Sequence, residues 1–264
     1  MTIRLRPQAS GADCLEKLRS CRMELDNLAS TGGRADQTTA EYLRWATTWA
    51  AQLQRTVLEP DINELVLTDR FYAVLGSSGG SVPIGFPLID VEVRARKDAL
   101  DAAILDLAAK VKRWATRGEL LVFDTNVFLH GPQRFDELDL SSLLPPSTPR
   151  RLLILLVNLD EMDRQKRVRN SEVKRRARET LRVIEDSIRK PDTPVQLNAL
   201  GFEDVEVVLD PPTHVRLPRA DDELVDRAES IADLASRPMS FVSADVGLLL
   251  RARRGRLNVV HADW

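Results

Sequence analysis

Leu120-Leu121-Val122-Phe123-Asp124-Thr125-Asn126 is the stretch on which the reading of the fold turns. Four apolar residues without alternation suit a strand covered on both faces, as in a parallel sheet. A carboxylate then stands directly at the strand's carboxyl end. The pattern recurs down the chain. Leu152 to Val157 is a second apolar run, Ser240 to Ser243 and Leu257 to Val260 are two more, and Val205 to Leu209 is a fifth, weaker one. Helical periodicity fills the gaps, over Ser171 to Arg189, Asp221 to Ser236 and Val246 to Arg254. Strands alternating with helices predict a central parallel sheet with helices on both faces, a three-layer α/β domain over 118–264.

The chain before Gly118 reads differently. Leu15, Leu18, Cys21, Leu25 and Leu28 recur at helical spacing over Asp13 to Leu28, and Thr31-Gly32-Gly33 ends that pattern. Thr38 with Glu41 resembles a capping box. The helix after it carries Tyr42, Trp45, Trp49 and Leu53 on one stripe. Glu59 to Pro87, with Ser77-Ser78-Gly79-Gly80, Pro83 and Pro87, reads as a loop with little regular structure. It is not a phosphate-binding loop, since no Gly-Lys-Ser/Thr follows the glycines. A third helix is expected from Asp90 to Arg117 on the seam Leu100, Ile104, Leu107, Val111 and Trp114, with Gly118 as its C-cap. Residues 1–117 are thus an α-helical region of no named chemistry. Its stripes call for burial against one another, a second copy or a protein partner.

Composition narrows the class. With 264 residues, 43% hydrophobic and 30% charged, the chain has enough apolar mass for two cores. The net charge of −2 excludes a general polycation, so any affinity for nucleic acid must come from a local patch. Met1 to Ala12 has no apolar signal region, and no run is long enough to span a membrane. Cys14 and Cys21 lie about 10 Å apart along a helix, too far for an unstrained disulfide, as expected in a reducing cytoplasm.

Acids cluster where an open α/β sheet places its ligands, beyond the carboxyl ends of the strands. Asp124 ends the first strand. Asp160, Glu161 and Asp163 follow the second, Asp221 and Asp222 open a helix with Asp226 one turn on, and Asp245 follows Phe241-Val242-Ser243. Taken singly, each is a cap or a solvated charge. Together they form a set of like charges that a hard dication would reconcile, since Mg²⁺ and Mn²⁺ take oxygen ligands. Such an ion activates water toward a phosphodiester.

Phe123-Asp124-Thr125-Asn126-Val127-Phe128-Leu129-His130 resembles the opening motif of PIN domains, notably the type attached to PhoH-like ATPases. Leu159-Asp160-Glu161-Met162-Asp163-Arg164-Gln165-Lys166 is similar to the second motif of that type. Ala220-Asp221-Asp222-Glu223-Leu224-Val225 and Ser243-Ala244-Asp245 match the third and fourth. The resemblance runs from about Glu119 to the C-terminus. One departure is Val157-Asn158, where the family usually has an apolar-proline lead-in. The resemblance implies a Rossmann-like fold and a Mg²⁺- or Mn²⁺-dependent endoribonuclease that leaves 5′-phosphate and 3′-hydroxyl ends. It makes Asp124, Glu161, Asp222 and Asp245 the metal-binding, catalytic acids, with Asp221 a close rival to Asp222. Asn126 and Ser243 become the polar residues that hold them, with Asp226 a further supporting acid.

Cations lie beside these acids. Arg164, Lys166, Arg167, Arg169, Lys174 and Arg175 follow Glu161, and Arg251, Arg253, Arg254 and Arg256 follow Asp245. A phosphate backbone needs such patches. They do not separate RNA from DNA; the preference for RNA comes from the resemblance. His130, His214 and His261 show no zinc-like spacing and read as loop residues. Two other readings compete. One is a PIN fold that grips RNA or a protein without cutting, against which the full set of acids counts. The other is a dehalogenase-type phosphatase, which needs a second acid where Asn126 stands.

Overall fold

The structure is a computed structural model and describes residues 2–30, 35–77, 86–115, 118–141, 143–145, 149–197, 202–212, 214–253 and 255–263. The chain falls into two compact units, Met1–Ala115 with Asp233–Ser236, and Thr116–Ala232 with Arg237–Trp264. No helix among the described residues is long and apolar enough to cross a membrane.

The first unit contains α1 (Gly11–Ser30), α2 (Ala35–Leu53), α3 (Glu59–Leu65), α4 (Asp69–Ser77) and α5 (Phe86–Trp114). Leu15, Leu18, Cys21 and Leu25 of α1 share one core with Tyr42, Trp45, Trp49 and Leu53 of α2 and Leu100 and Leu107 of α5. The aromatic stripe of α2 is thus buried within this unit. Glu92 of α5 is fully buried at its centre, accepting from the Tyr42 hydroxyl at 3.1 Å and the Thr68 hydroxyl at 3.0 Å, and pairing with Arg96 at 3.0 Å.

Three expectations for this unit are corrected. Thr38 and Glu41 do not cap α2, which already runs from Ala35. The stretch from Glu59 to Pro87 is not a plain loop, because it contains α3 and α4. Pro60 lies in the first turn of α3, where its fixed φ favours entry, and Ile62, Leu65 and Val66 are buried. The Thr68 hydroxyl accepts from the Phe71 N–H at 3.2 Å at the entry of α4, turning Phe71 and Val74 inward. Gly118 is not the C-cap of α5, which ends at Trp114. Thr31-Gly32-Gly33, Ser78-Gly79-Gly80, Pro83 and Arg117 lie outside the described residues.

Gly118 serves the next element instead. Its φ is +85°, and a Cβ there would come within 2.2 Å of the Pro149 carbonyl oxygen. Both facts require glycine at the point where the chain enters the sheet. Gly118→Ala should cost about 1–3 kcal/mol from the φ alone, with the backbone clash added to it. A urea denaturation midpoint matching that of the wild type would contradict this.

The second unit contains β1 (Glu119–Phe123), α6 (Thr125–His130), β2 (Arg150–Leu155), α7 (Leu156–Gln165), α8 (Ser171–Ser187), β3 (Val195–Gln196), β4 (Asp204–Val208), α9 (Ala220–Ala235), β5 (Met239–Ser243), α10 (Val246–Ala252) and β6 (Leu257–His261). The strands form one sheet in the order β3-β4-β2-β1-β5-β6, parallel except for β3, which pairs antiparallel with β4. Its apolar core includes Leu121 and Phe123 of β1, Leu152 and Ile154 of β2, Val205 and Val207 of β4, and Val242 of β5. Phe123, Phe128, Phe135 and Phe202 add a chain of ring contacts, with centroids 5.5–6.4 Å apart.

The second strand is displaced from its expected span. It starts at Arg150 and stops at Leu155, so Leu156 and Val157 open α7. Charged residues are tolerated at its start because Arg150 bonds Glu119 at 3.0 Å and Arg151 bonds Asp204 at 3.2 Å across the neighbouring strands. Asn158 sets the strand-to-helix switch, its Oδ1 accepting from the Leu155 N–H at 3.1 Å. Asp160, Glu161 and Asp163 consequently lie on a helix.

Candidate active site

β1 and β5 bring the first acid into place. The Asp124 N–H donates to the Val242 carbonyl at 2.9 Å, extending the parallel ladder by one residue. Its side chain is only 3% exposed. Asp124 Oδ2 accepts from the Ser243 hydroxyl at 2.8 Å and from Asn126 Nδ2 at 3.2 Å. The same Ser243 oxygen accepts from the Asp245 N–H at 2.9 Å, so one hydroxyl organises both strand ends. Asp245 is exposed and caps α10, its Oδ1 accepting from the Leu248 N–H at 3.0 Å.

Glu161 is held from below by a relay. Asn158, fully buried, donates through Nδ2 to the Phe123 carbonyl at 3.2 Å and to Thr125 Oγ1 at 3.1 Å. Thr125 Oγ1 in turn donates to Glu161 Oε2 at 2.5 Å. The relay fixes the orientation of a half-buried carboxylate on α7 relative to the end of β1.

Asp221 and Asp222 share one counter-ion. Arg251 of α10 donates to Asp221 Oδ2 at 2.9 Å and to Asp222 Oδ1 at 3.1 Å, and Arg219 lies 3.7 Å from Asp222. The electrostatics distinguish the two acids. Burial raises the pKa of Asp124, against the Ser243 and Asn126 hydrogen bonds, and the charge of Asp221 raises it further. Burial also raises the pKa of Glu161, against the Thr125 bond and the charge of Arg164, while Asp124 and Asp221 push it up again. The charge of Asp221 thus bears on both Asp124 and Glu161, and that of Asp124 on Glu161, as like charges in one cluster do. Asp226 stands apart: partial desolvation raises its pKa, and its charged neighbours are Glu223, His214 and Arg227.

Two of those neighbours, Glu223 and His214, form a second group with Asp210. Asp210, His214 and Glu223 have ligand atoms all within 4.8 Å of one another. Every member already has a protein partner. His214 Nε2 lies 2.6 Å from Glu223 Oε1, Glu223 Oε2 accepts from the Leu217 N–H at 2.8 Å, and Asp210 accepts from Arg216 at 2.7 Å. The group is accounted for as the tie that holds His214 and Leu217 to Glu223 of α9. Asp124, Glu161 and Asp221 offer only carboxylate oxygens, the donor type a hard dication takes, and the charge of Asp221 bears on the other two.

The expected cationic residues divide. Arg164, Arg167 and Arg169 are exposed at and just beyond the end of α7, and Arg253 is exposed after α10. Lys166 is paired with Asp163 at 2.5 Å. Arg175 is clamped between Glu172 and Glu179 by bonds of 2.5–3.1 Å, so its charge is spent within α8. Lys174 is half-buried on the same helix. Arg254 lies outside the described residues. Thr125 and Asn158 were not singled out by sequence reasoning as parts of the site. Thr125 was hidden inside the first motif, and Asn158 showed only as a departure from the usual lead-in.

Among curated proteins, none matches this chain. A family model described as the PIN domain matches residues 121–263, more than half of the sequence and all of the rim just described. PIN domains are generally metal-dependent nucleases, and the chain belongs to the PIN domain family.

Proposed function

We propose that this protein is an endoribonuclease that hydrolyses RNA phosphodiester bonds with Mg²⁺ or Mn²⁺ held by Asp124, Glu161, Asp221 and Asp245. The observation that carries the reading is the placing of two carboxylates at the end of β1, Asp124 buried under Ser243 and Asn126, and Glu161 held by Thr125 beside it, with the charge of Asp221 bearing on both. Carboxylates desolvated beside further acids are the pattern of a functional site. Asp221 is preferred to Asp222 because it is the one whose charge reaches the other two acids; Asp222 sits between Arg219 and Arg251.

When bound, the dication supplies Lewis acidity toward the scissile phosphate and the attacking water. The protein supplies order. Ser243 and Asn126 hold Asp124 on the inner side, and the Asn158–Thr125 relay holds Glu161 opposite, so neither carboxylate needs to reorganise. Arg164, Arg167 and Arg169 offer exposed positive charge to the phosphate backbone beside Glu161. Water attacking in line would leave a 5′-phosphate and a 3′-hydroxyl.

The test is incubation of the purified protein with defined single-stranded RNAs and DNAs, with Mn²⁺ and with a chelator, followed by mapping of the product ends. Metal-dependent cutting within RNA is expected. Cutting that persists in chelator, products ending in a cyclic phosphate, or binding without any cutting would overturn the reading. Cutting of DNA alone would replace the substrate and leave the chemistry.

A further inference from the structure

The geometry points to Arg251 as a built-in stand-in for the metal: it neutralises Asp221 while the site is empty, and turns to the substrate phosphate once a dication takes that carboxylate. This rests on the function proposed above and adds a gating residue to it. Arg251 lies on α10, one strand-end away from Asp124, yet it reaches across to α9 and bonds both adjacent acids, at 2.9 and 3.1 Å. A guanidinium that spans two carboxylates matches the donor geometry of the pair and neutralises charge that would otherwise face Asp124 and Glu161. Its side chain is 31% exposed, so it has room to leave.

Two further facts give the contact a consequence. Asp221 is the acid whose charge bears on Asp124 and Glu161, and its Oδ2 is the atom that Arg251 occupies. A dication that takes this oxygen competes with Arg251 for it and releases the arginine. Asp222 can still be neutralised by Arg219, 3.7 Å away, so the arginine leaves no acid stranded. Arg251 freed in this way is a planar, permanently charged donor beside the acids, suited to a phosphate oxygen. Metal binding and phosphate binding are then linked through one side chain, and the linkage must act in both directions.

Calorimetric titration of the full chain with Mn²⁺, without RNA, tests the first half. Arg251→Ala should bind Mn²⁺ about three- to fivefold more tightly than the wild type, the scale of a lost exposed ion pair. Arg251→Lys, which keeps the charge but not the fork, should fall between the two. Binding of AMP, which presents the phosphate of a cleavage product, tests the second half. Without Mn²⁺ the wild type and Arg251→Ala should bind AMP alike; with Mn²⁺ the wild type should bind it about tenfold more tightly than the variant, the scale of a charge-assisted bond. Unchanged or weaker Mn²⁺ binding by Arg251→Ala, beside stoichiometric binding by the wild type, would overturn the role of Arg251 and leave the nuclease reading standing. An AMP deficit of equal size with and without Mn²⁺ would do the same. If the wild type itself binds no Mn²⁺, the nuclease reading falls first, and this inference with it.

Discussion

Asp124→Asn abolishes metal-dependent cleavage and, without metal at neutral pH, raises the melting temperature. Both effects have one cause. Burial raises the Asp124 pKa above the ordinary aspartate value, so the folded protein holds that proton to a higher pH than the unfolded chain does. A carboxyl group shifted in this sense contributes stability that is full below the unfolded pKa and is lost as pH rises through the folded one. At neutral pH the fold therefore carries a buried charge at a cost. Asparagine removes the charge and keeps the shape: its carbonyl takes the place of the oxygen that accepts from Ser243 and Asn126. Its amide is a poor ligand for a hard cation, so cleavage should fall by roughly 100-fold or more, at least the loss known for residues that merely support a metal ligand. Calorimetric scans at neutral and at mildly acidic pH check the stability half. The gain should shrink as the pH falls toward the ordinary carboxylate range, where the wild-type side chain is neutral as well. A variant that melts below the wild type at neutral pH would show that the charge is not a burden. Unchanged cleavage would remove Asp124 from the chemistry.

The second large effect is expected at Asn158, which sits where no acid does. Asn158→Ala leaves three partners without their bond, the Leu155 N–H, the Phe123 carbonyl and the Thr125 hydroxyl, in a place without exposure to water. Each stranded buried polar group costs about 1–3 kcal/mol, and local relaxation recovers part of that, so a net loss of roughly 2–4 kcal/mol is expected. The function should suffer beyond the loss of stability. Thr125 loses the donor that sets its hydroxyl, and Glu161 loses its fixed orientation, which should lower cleavage by the folded fraction about 10- to 100-fold. Denaturant titration gives the stability, and kcat measured well below the unfolding transition gives the activity. Full kcat in a destabilised variant would reduce Asn158 to a helix-start residue.

The sheet was readable from sequence because its inner strands are covered on both faces. Leu120 to Phe123 is unbroken and apolar, Met239 to Ser243 is buried throughout, and the polar residues at the two strand ends, Asp124 and Ser243, are there because they bond each other. The end of β2 was unreadable for the same reason. Leu152 to Val157 is one apolar run, but its last two residues, half-buried Leu156 and buried Val157, belong to a helix, and hydrophobicity does not register the change of backbone. What marks the boundary is Asn158, a polar residue whose meaning depends on Phe123 and Thr125 more than 30 positions away. β3 escaped because two residues carry no period. α3 and α4 escaped because Ser77-Ser78-Gly79-Gly80, Pro83 and Pro87 made the whole stretch read as a loop, whereas Pro60 sits in the opening turn of α3 and Pro87 in that of α5. At the site, adjacency hid the difference between Asp221 and Asp222. Neighbours on a helix point about 100° apart, and only the placement of α10 shows that one arginine reaches both.

The position of β1 in the strand order has its own consequence. It lies between β2 and β5, with three strands on one side and two on the other, and Asp124 is its next residue. Fraying begins at the rims of a sheet, here the two-residue β3 and the lone outer side of β6. Breathing at those rims leaves the middle ladder closed. The carboxylate around which everything else is arranged hangs from the segment that opens last, so its pocket should keep its form until the whole domain gives way.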